Sequence, residues 1–79
     1  MRLDKFLKVS RLIKRRTVAH DAADAGRVTV NGKEAKPSHQ VKPGDVLELT
    51  FGQRTLKVEV TEVRETVRKD DAAAMYREL

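Results

Sequence analysis

The sequence contains no cysteine and no tryptophan, and its only aromatic residues are two phenylalanines and one tyrosine. Without cysteine there is no disulfide framework, no thiolate zinc site and no cysteine nucleophile. No apolar run approaches the roughly 20 residues of a membrane-spanning helix, and no signal-peptide core follows the N-terminal charges. With so few aromatic side chains, the protein is not expected to bind single-stranded nucleic acid by stacking bases on them. With 79 residues, the chain is predicted to be one small, soluble, cytoplasmic domain.

The net positive charge is confined to one end of the chain. Residues 1–16 hold seven bases and one acid, a net charge of +6, and residues 17–79 hold ten bases and eleven acids, a net charge of −1, which together give +5. Solubility alone would not concentrate charge in this way, because like charges in one segment repel one another. A polyanion would favour it, and nucleic acid is the strongest candidate because each neutralised phosphate releases counterions.

The N-terminal segment is spaced like an amphipathic helix. Its apolar residues recur at helical intervals, and the bases line the other side; the inward set begins Leu3, Phe6, Leu7. The helix is predicted to end near Val9-Ser10. Among so many bases, Asp4 is the one acid available for an i,i+4 pair, with Lys8.

A second helix is predicted to follow the basic turn. Thr17 is expected to be its N-cap, with Asp21 in the first turn, where the helix dipole favours negative charge. Its inward stripe is predicted to be Val18, Ala22 and Ala25, while Ala19 and Ala23 allow close packing. Gly26 stands where a helix ends in the left-handed conformation.

Strands are predicted for the middle of the chain. Asn31-Gly32 is a strong hairpin signal, residues 37–45 form a loop, and Gly52-Gln53 makes a second tight turn. Alternation predicts that two strands turn one face inward, and these inward residues are Leu47, Leu49, Phe51, Leu56, Val58 and Val60. A bulge or strand end is expected near Glu62.

The C-terminal segment has helical spacing again. Asp70 or Asp71 is predicted to cap AAAMYREL, and this short helix is expected to dock on the sheet through Met75 and Tyr76. The predicted fold class is α+β: two short N-terminal helices packed on a small, mostly antiparallel sheet, with a short C-terminal helix.

No pattern of catalytic or metal-binding residues is present. His20 and His39 have no carboxylate or cysteine at ligand spacing, and the Asp21/Asp24 and Asp70/Asp71 pairs fit capping and solubility better than acid–base catalysis. No phosphate-binding glycine loop or serine nucleophile motif exists. The sequence therefore predicts no catalytic residues, no metal site and no cofactor.

Folded RNA fits the charge pattern better than sequence-specific DNA binding. A helix that reads DNA presents Asn, Gln, Arg or Ser to base edges, whereas the second helix offers His20, Asp21 and Asp24. The N-terminal segment, more than the second helix, is therefore predicted to be the binding surface. Its candidate RNA-binding residues are Arg2, Asp4, Lys5, Lys8, Arg11, Lys14, Arg15 and Arg16.

The motifs RLDKFL, RRT, AGRVTVNGKEAK and VKPGDVLEL, in this order, resemble the small RNA-binding domain first described in ribosomal small-subunit protein four. The resemblance covers about residues 1–51 and implies that two helices and a hairpin face structured rRNA or tRNA. The expected organisation is one RNA-binding domain over residues 1–79, with its core motif at about 1–51 and a C-terminal strand and helix in 54–79.

The whole chain is similar to a narrower family, that of quality-control protein P and heat-shock protein fifteen. The LDKFLKVSRLIKRRTVA opening, the FGQ turn and the AAAMYREL ending carry this resemblance. It implies a non-enzymatic module that binds large-subunit rRNA and peptidyl-tRNA in the P-site of stalled, split ribosomes. The protein itself is expected to be a monomer. The implied partner is an RqcH-type tailing factor that adds alanine to the nascent chain.

The same resemblance assigns roles to individual residues. Arg2 and Arg16 are expected to be the principal RNA contacts. Asp4 matches the family's Asp, and because it opposes the positive field of the patch, it is expected to orient an arginine. Arg15 stands where the family usually has Ser, and the second helix lacks the bases that many relatives carry there, so little contribution from that helix is expected.

Three rival interpretations exist. One is a general rRNA-binding factor for ribosome assembly or translation, from the same domain family. Another is an enzyme, because the domain occurs attached to pseudouridine synthases and a tRNA synthetase; the initial Met and the predicted terminal helix instead favour a complete chain without a catalytic domain. The third is a DNA-binding protein.

Overall fold

The structure is a computed structural model of the chain, and it describes residues 1–65 and 68–79. Its elements, in chain order, are helices α1 (Leu3–Val9) and α2 (Arg16–Asp24), strands β1 (Val28–Val30), β2 (Lys33–Glu34), β3 (Val46–Phe51) and β4 (Arg54–Val60), a 3₁₀ helix (Lys69–Met75) and strand β5 (Tyr76–Glu78). The strands form one sheet in the order β2-β1-β3-β4-β5, and every neighbouring pair is antiparallel. The predicted α+β class is confirmed.

The core lies between the two helices and one face of the sheet. Strand alternation turns every second residue of β1, β3 and β4 toward the helices, because successive side chains point to opposite faces. The largest fully buried side chains are Phe6, Leu3, Leu7, Leu47, Leu49, Met75, Val28, Val58 and Val60. Helix α1 ends at its predicted place, with Ser10 as C-cap.

Helix α2 differs from its prediction at its start and in its buried face. Its N-cap is Arg15 rather than Thr17, so no acidic residue lies in the first turn and Asp21 falls outside it. The buried residues are Ala19, Ala22 and Ala23, because these small side chains allow the helix to approach its neighbours closely. Val18, predicted to point inward, is 48% exposed.

The glycine at the end of α2 has its predicted role. Gly26 has a φ of +77°, and its N–H donates to Ala23 O at 3.0 Å while Arg27 N–H donates to Ala22 O at 2.9 Å. These paired bonds satisfy carbonyl groups that the helix end would otherwise leave unpaired.

The two predicted tight turns are present. Asn31 and Gly32 have φ values of 53° and 85°, the signs that a type I′ hairpin requires. The Asn31 side chain also joins this hairpin to the end of the loop before β3. Its Nδ2 donates to Asp45 Oδ1 at 3.2 Å, and its Oδ1 accepts from Val46 N–H at 2.9 Å. The second turn, at Gly52, pairs Phe51 with Arg54 across the β3–β4 hairpin.

Phe51 was predicted to belong to the core but is 42% exposed. It is the last residue of β3, and all the residues from Thr50 to Thr55 are exposed at this hairpin tip. The burial that alternates along β3 therefore stops before its last two residues. Strand β4 ends at Val60, close to the break expected near Glu62.

The C-terminal helix was predicted wrongly in kind and extent. Residues Lys69–Met75 form a 3₁₀ helix with Arg68 as N-cap, and Tyr76–Glu78 form an edge strand paired with β4. In a 3₁₀ helix residues i and i+3 lie above one another, so Ala72 and Met75 still become buried, at 2% and 0% exposure. The open edge of β4 pairs with the following residues, because unpaired strand groups favour a partner.

Among the described residues, no helix combines the length and the apolar content that crossing a membrane would require.

Candidate RNA interface

The centre of the candidate site is a buried carboxylate between two exposed arginines. Asp4, in the first turn of α1, is 2% exposed. Arg2 donates through Nε to Asp4 Oδ1 at 3.2 Å and through Nη2 to Oδ2 at 3.3 Å, while Arg16 Nη2 donates to Oδ1 at 3.5 Å. Asp4 therefore contacts both arginines, and it forms no ion pair with Lys8 in the part of the chain that the structure describes. Its role in orienting an arginine for RNA stays a prediction.

Different elements bring these three residues together. Arg2 is the N-cap of α1, Asp4 follows within its first turn, and Arg16 is the first residue of α2. The chain from Ser10 to Arg15 reverses direction so that the start of α2 lies beside the start of α1. We name this group of residues, Arg2, Asp4 and Arg16, the arginine clamp.

A loop that sequence reasoning treated only as a connection supports the clamp. Arg2 forms an isolated antiparallel bridge with Gln40, Leu3 N–H donates to His39 O at 2.8 Å, and Asp4 N–H donates to Pro37 O at 3.2 Å. These bonds satisfy N–H groups that the first turn of a helix leaves unpaired. No motif in PSHQ indicated this role, because it depends on a contact between distant parts of the chain.

The surroundings of Asp4 keep it ionised. Burial acts to raise the pKa of the carboxyl, but the hydrogen bond from Lys5 N–H, the positive charge of Arg16 and the hydrogen bond from Arg2 outweigh it and hold the pKa below its usual value of 3.8. The carboxylate is therefore a permanent negative charge at neutral pH, and both guanidinium groups remain oriented around it.

The clamp leaves hydrogen-bond donors facing solvent. The side chains of Arg2 and Arg16 are 46% and 47% exposed, whereas that of Asp4 is 3% exposed. Each guanidinium has five N–H donors and uses only one or two of them on Asp4. The remaining donors suit phosphate oxygens or base edges, which a planar fork binds with defined geometry.

The other predicted RNA-binding residues surround the clamp in different ways. Lys8 is in the last turn of α1, Arg11 follows it with a φ of 65°, and both are exposed, as are Lys14 and Arg15 in the connection to α2. These four residues form no ion pair with any side chain that the structure describes. Lys5 differs, because its ammonium group pairs with the Glu65 carboxylate. No sequence signal indicated that contact between residues 60 positions apart.

Helix α2 presents an acidic surface beyond the clamp. His20, Asp21 and Asp24 are exposed, and His20 Nδ1 lies 3.6 Å from Asp21 Oδ1. A depression of about 310 Å³ is lined by Asp4, Arg16, Thr17, His20 and Asp21. In the part of the chain that the structure describes, no three His, Cys, Asp or Glu residues are grouped as metal ligands.

Comparison with known proteins identifies the family of this chain. Residues 1–47 match the S4 domain family. The chain is 59% identical over 76 residues to the RQC P-site tRNA stabilizing factor of Bacillus subtilis, which covers 96% of this chain and 88% of that protein. The identity to the protein of the same name from Streptococcus pneumoniae is 55% over 76 residues, covering 96% and 86%.

The fold agrees with a solved structure of the same kind. Heat shock protein 15 of Vibrio cholerae, described as trimeric, superposes with a TM-score of 0.92 at 32% sequence identity, covering 100% of this chain and 81% of that one. Like the stabilizing factor and the heat shock protein that it matches along most of its length, this chain is not an enzyme. The chain belongs to the S4 domain family and, within it, to the group that contains the RQC P-site tRNA stabilizing factors.

Proposed function

We propose that this protein binds structured RNA of the large ribosomal subunit together with P-site tRNA, and that the arginine clamp is the centre of its RNA interface. The observation that carries the proposal is the buried Asp4 carboxylate, which contacts both exposed guanidinium groups. Orienting two cations before binding reduces the entropy that an RNA contact would otherwise cost. Because a buried acid weakens the positive field of the segment, its contacts with both guanidinium groups support a role in orienting them for RNA.

The flanking bases provide the less specific part of the interface. Lys8, Arg11, Lys14 and Arg15 are exposed and flank the clamp in sequence, and Lys5 adds charge when its pair with Glu65 opens. They contribute attraction to phosphate groups without selecting a particular RNA. Residues 1–51 carry the RNA interface, and residues 54–79 complete the sheet of the same domain.

The site of action is the stalled, split large subunit in the cytoplasm. There the protein contacts rRNA and the peptidyl-tRNA together, as a monomer, and stabilises the P-site tRNA while an RqcH-type factor adds alanine to the nascent chain. The names of relatives at 59% and 55% identity support the tRNA part of this proposal. The alternative is a general rRNA-binding assembly or translation factor.

The test compares affinities for four purified partners at one salt concentration: large subunits with peptidyl-tRNA, empty large subunits, free tRNA and duplex DNA. We expect the tightest binding to large subunits that carry peptidyl-tRNA. Equal affinity for empty subunits would favour the general rRNA-binding factor. Binding to duplex DNA as tight as to any subunit would overturn the proposal.

A further inference from the structure

One base of the proposed RNA interface is already paired with an acid of the same chain. The Lys5 ammonium, on α1, pairs with the Glu65 carboxylate, which belongs to the segment after β4. Among the residues that the structure describes, the other flanking bases have no such partner. The side chains of Lys5 and Glu65 are 34% and 73% exposed, so a ligand can reach the pair from solvent.

The Lys5–Glu65 pair lies next to the arginine clamp in the chain. Lys5 follows Asp4 in the first turn of α1, and its N–H donates to Asp4 Oδ1 at 2.8 Å. RNA that docks on the clamp is therefore close to the turn that carries Lys5. The base with a carboxylate partner is thus the flanking base nearest to the centre of the proposed interface.

The fold itself brings Glu65 to α1. The N–H groups of Thr61 and Glu62 donate to Met75 O at 2.9 and 3.3 Å, and Val63 packs against the core. These contacts hold the start of the segment that ends at Glu65. Because the carboxylate is attached to the same molecule, it competes for Lys5 as an intramolecular ligand, with a higher effective concentration than a free anion.

The Glu65 carboxylate and an RNA phosphate have the same requirement at Lys5. Both are anions whose oxygens accept hydrogen bonds from an ammonium group. The hydrogen bond from Lys5, its charge and the charge of the N-terminal ammonium hold the pKa of the Glu65 carboxyl below its usual value of 4.5, so it is ionised at neutral pH. Two anions against one ammonium repel each other. A phosphate that binds Lys5 must therefore displace Glu65.

We propose that Glu65 competes with RNA phosphate for Lys5 and thereby lowers the affinity of the RNA interface. In the free protein the carboxylate holds the ammonium, and RNA docked on the arginine clamp displaces it. The inference rests on the proposed function, since it requires that α1 faces RNA. It adds an inhibitory residue from the C-terminal part of the chain to an interface built from the N-terminal part.

The experiment measures binding of the full chain to large ribosomal subunits that carry peptidyl-tRNA. Glu65→Gln removes the charge and keeps the size of the side chain. It should raise the affinity by about threefold, within the range that exposed ion pairs contribute. Glu48→Gln is the matched control, because it makes the same change in net charge but its partner, Lys57, lies on β4 and outside the interface. The control should change the affinity much less.

A double-mutant cycle shows whether the effect acts through Lys5. In a Lys5→Ala background, Glu65→Gln should have no larger effect than Glu48→Gln, because no ammonium is left to release. Lys5→Ala alone should reduce the slope of log affinity against log salt concentration by about one unit, since Lys5 contacts a phosphate in the complex. An unchanged slope would mean that Lys5 stays on Glu65 when RNA binds, and the inference would be wrong.

The other outcomes are equally distinct. Weaker binding by Glu65→Gln would mean that the carboxylate orients Lys5 for RNA, and equal gains for Glu65→Gln and Glu48→Gln would mean that only net charge matters. Either result overturns the inference, as does a gain that persists in the Lys5→Ala background. If Arg2→Ala and Arg16→Ala bind the subunits as tightly as the wild type, the proposed function fails instead, whatever Glu65→Gln does. Thermal unfolding checks that the variants are folded, which we expect because neither side chain of the pair is buried.

Discussion

At the residue scale, the unusual feature of this protein is a single acid inside its most basic segment. Asp4 opposes the attraction of RNA by Coulomb's law, yet its contacts with Arg2 and Arg16 restrain both side chains. A flexible arginine loses rotamer entropy when it binds, and a restrained one loses less. The buried charge therefore weakens the general attraction of the segment for RNA, but it fixes the orientation of the two arginine side chains.

Replacing Asp4 with Asn tests this balance directly. The variant retains the shape and an acceptor for Lys5 N–H, and it raises the net charge of the protein by one. If charge alone decided affinity, Asp4→Asn would bind subunits more tightly. We expect weaker binding, by roughly fivefold, because each guanidinium loses a charge-assisted hydrogen bond that orients it. Stronger binding of the variant, measured by sedimentation with large subunits, would show that Asp4 does not orient the clamp.

The lowered pKa of Asp4 predicts how this residue affects stability with pH. Its pKa is lower in the folded protein than the ordinary value of 3.8, so folding favours the ionised form. The resulting stabilisation is present above pH 3.8 and is lost as the pH falls through the lower folded-state pKa. The difference in unfolding free energy between wild type and Asp4→Asn should therefore be largest near neutral pH and should shrink in acid. Urea titrations at several pH values measure it, and a difference that does not vary with pH would contradict the assignment.

Arg2 and Arg16 should matter more than arginines elsewhere. Arg64 and Arg77 are matched controls, because each pairs with a carboxylate outside the clamp, Glu62 or Glu59. Arg2→Ala and Arg16→Ala should each lose about tenfold or more in affinity for large subunits. A charge-assisted hydrogen bond contributes ~1.5–3 kcal/mol, and its loss lowers an association constant by at least that factor. Arg64→Ala and Arg77→Ala should lose far less.

The fold should survive all four arginine substitutions. Arg2 and Arg16 are about half exposed, so neither substitution opens a cavity in the core, and in each variant the buried Asp4 carboxylate keeps the other arginine and the Lys5 N–H as partners. Thermal unfolding checks this expectation. Equal losses of association at all four positions would mean that diffuse net charge, and not the clamp, binds the subunit.

At the element scale, the connection between α1 and α2 combines strain with charge. Arg11 follows the C-cap of α1 with a φ of 65°, a left-handed conformation that glycine adopts without cost. Its N–H donates to Lys8 O at 3.1 Å, and Ile13 N–H donates to Leu7 O at 3.0 Å, so the turn is closed by backbone bonds. The backbone thus favours glycine where the sequence has an exposed base.

Arg11→Gly should therefore affect stability and binding in opposite directions. Relief of the left-handed conformation is worth about 1 kcal/mol, which raises the melting temperature of a domain of this size by roughly 4–8 °C. Loss of the base should weaken subunit binding by a few-fold. Lys14→Ala serves as a control that removes a neighbouring exposed charge without changing backbone strain. Normal binding by Arg11→Gly would mean that this base does not contribute to the interface.

At the scale of the whole molecule, the net positive charge lies in one part of the fold. The +6 segment supplies α1, the connection and the start of α2, while the rest of the chain has a net charge of −1. This arrangement orients the protein as it approaches a polyanion, because the field attracts one side only. It also leaves the outer face of the sheet with local ion pairs, such as Lys57 with Glu48.

Such a charge distribution predicts a steep dependence of binding on salt. The logarithm of the association constant should fall linearly with the logarithm of salt concentration, with a slope of several units, because several phosphates release their counterions. Arg2→Ala should reduce the slope by about one unit, and Leu79→Ser should not change it. A slope near zero between low and physiological salt would overturn the electrostatic basis of the interface.

Local chemistry alone was sufficient for several parts of this protein. The amphipathic spacing of α1, the left-handed residues at Asn31-Gly32 and Gly26, and the concentration of charge at one end each depend on neighbours in the sequence. These features were predicted correctly because a tight turn or a helical stripe requires the same residues in any fold. The motifs of residues 1–51 also indicated the family.

Only the tertiary structure decided the features that depend on contacts between distant residues. Two stripes of α2 were apolar enough for burial, and packing against neighbouring elements selected the one with the smaller side chains, which left Val18 exposed. The C-terminal segment has helical spacing, but the open edge of β4 recruits Tyr76–Glu78 as a strand. Asp4 becomes buried between Arg2 and Arg16 only because α1, α2 and the loop at Pro37 meet at one point. Periodicity in the sequence specifies which face of a helix or strand is apolar. Whether another element covers that face depends on how the whole chain folds.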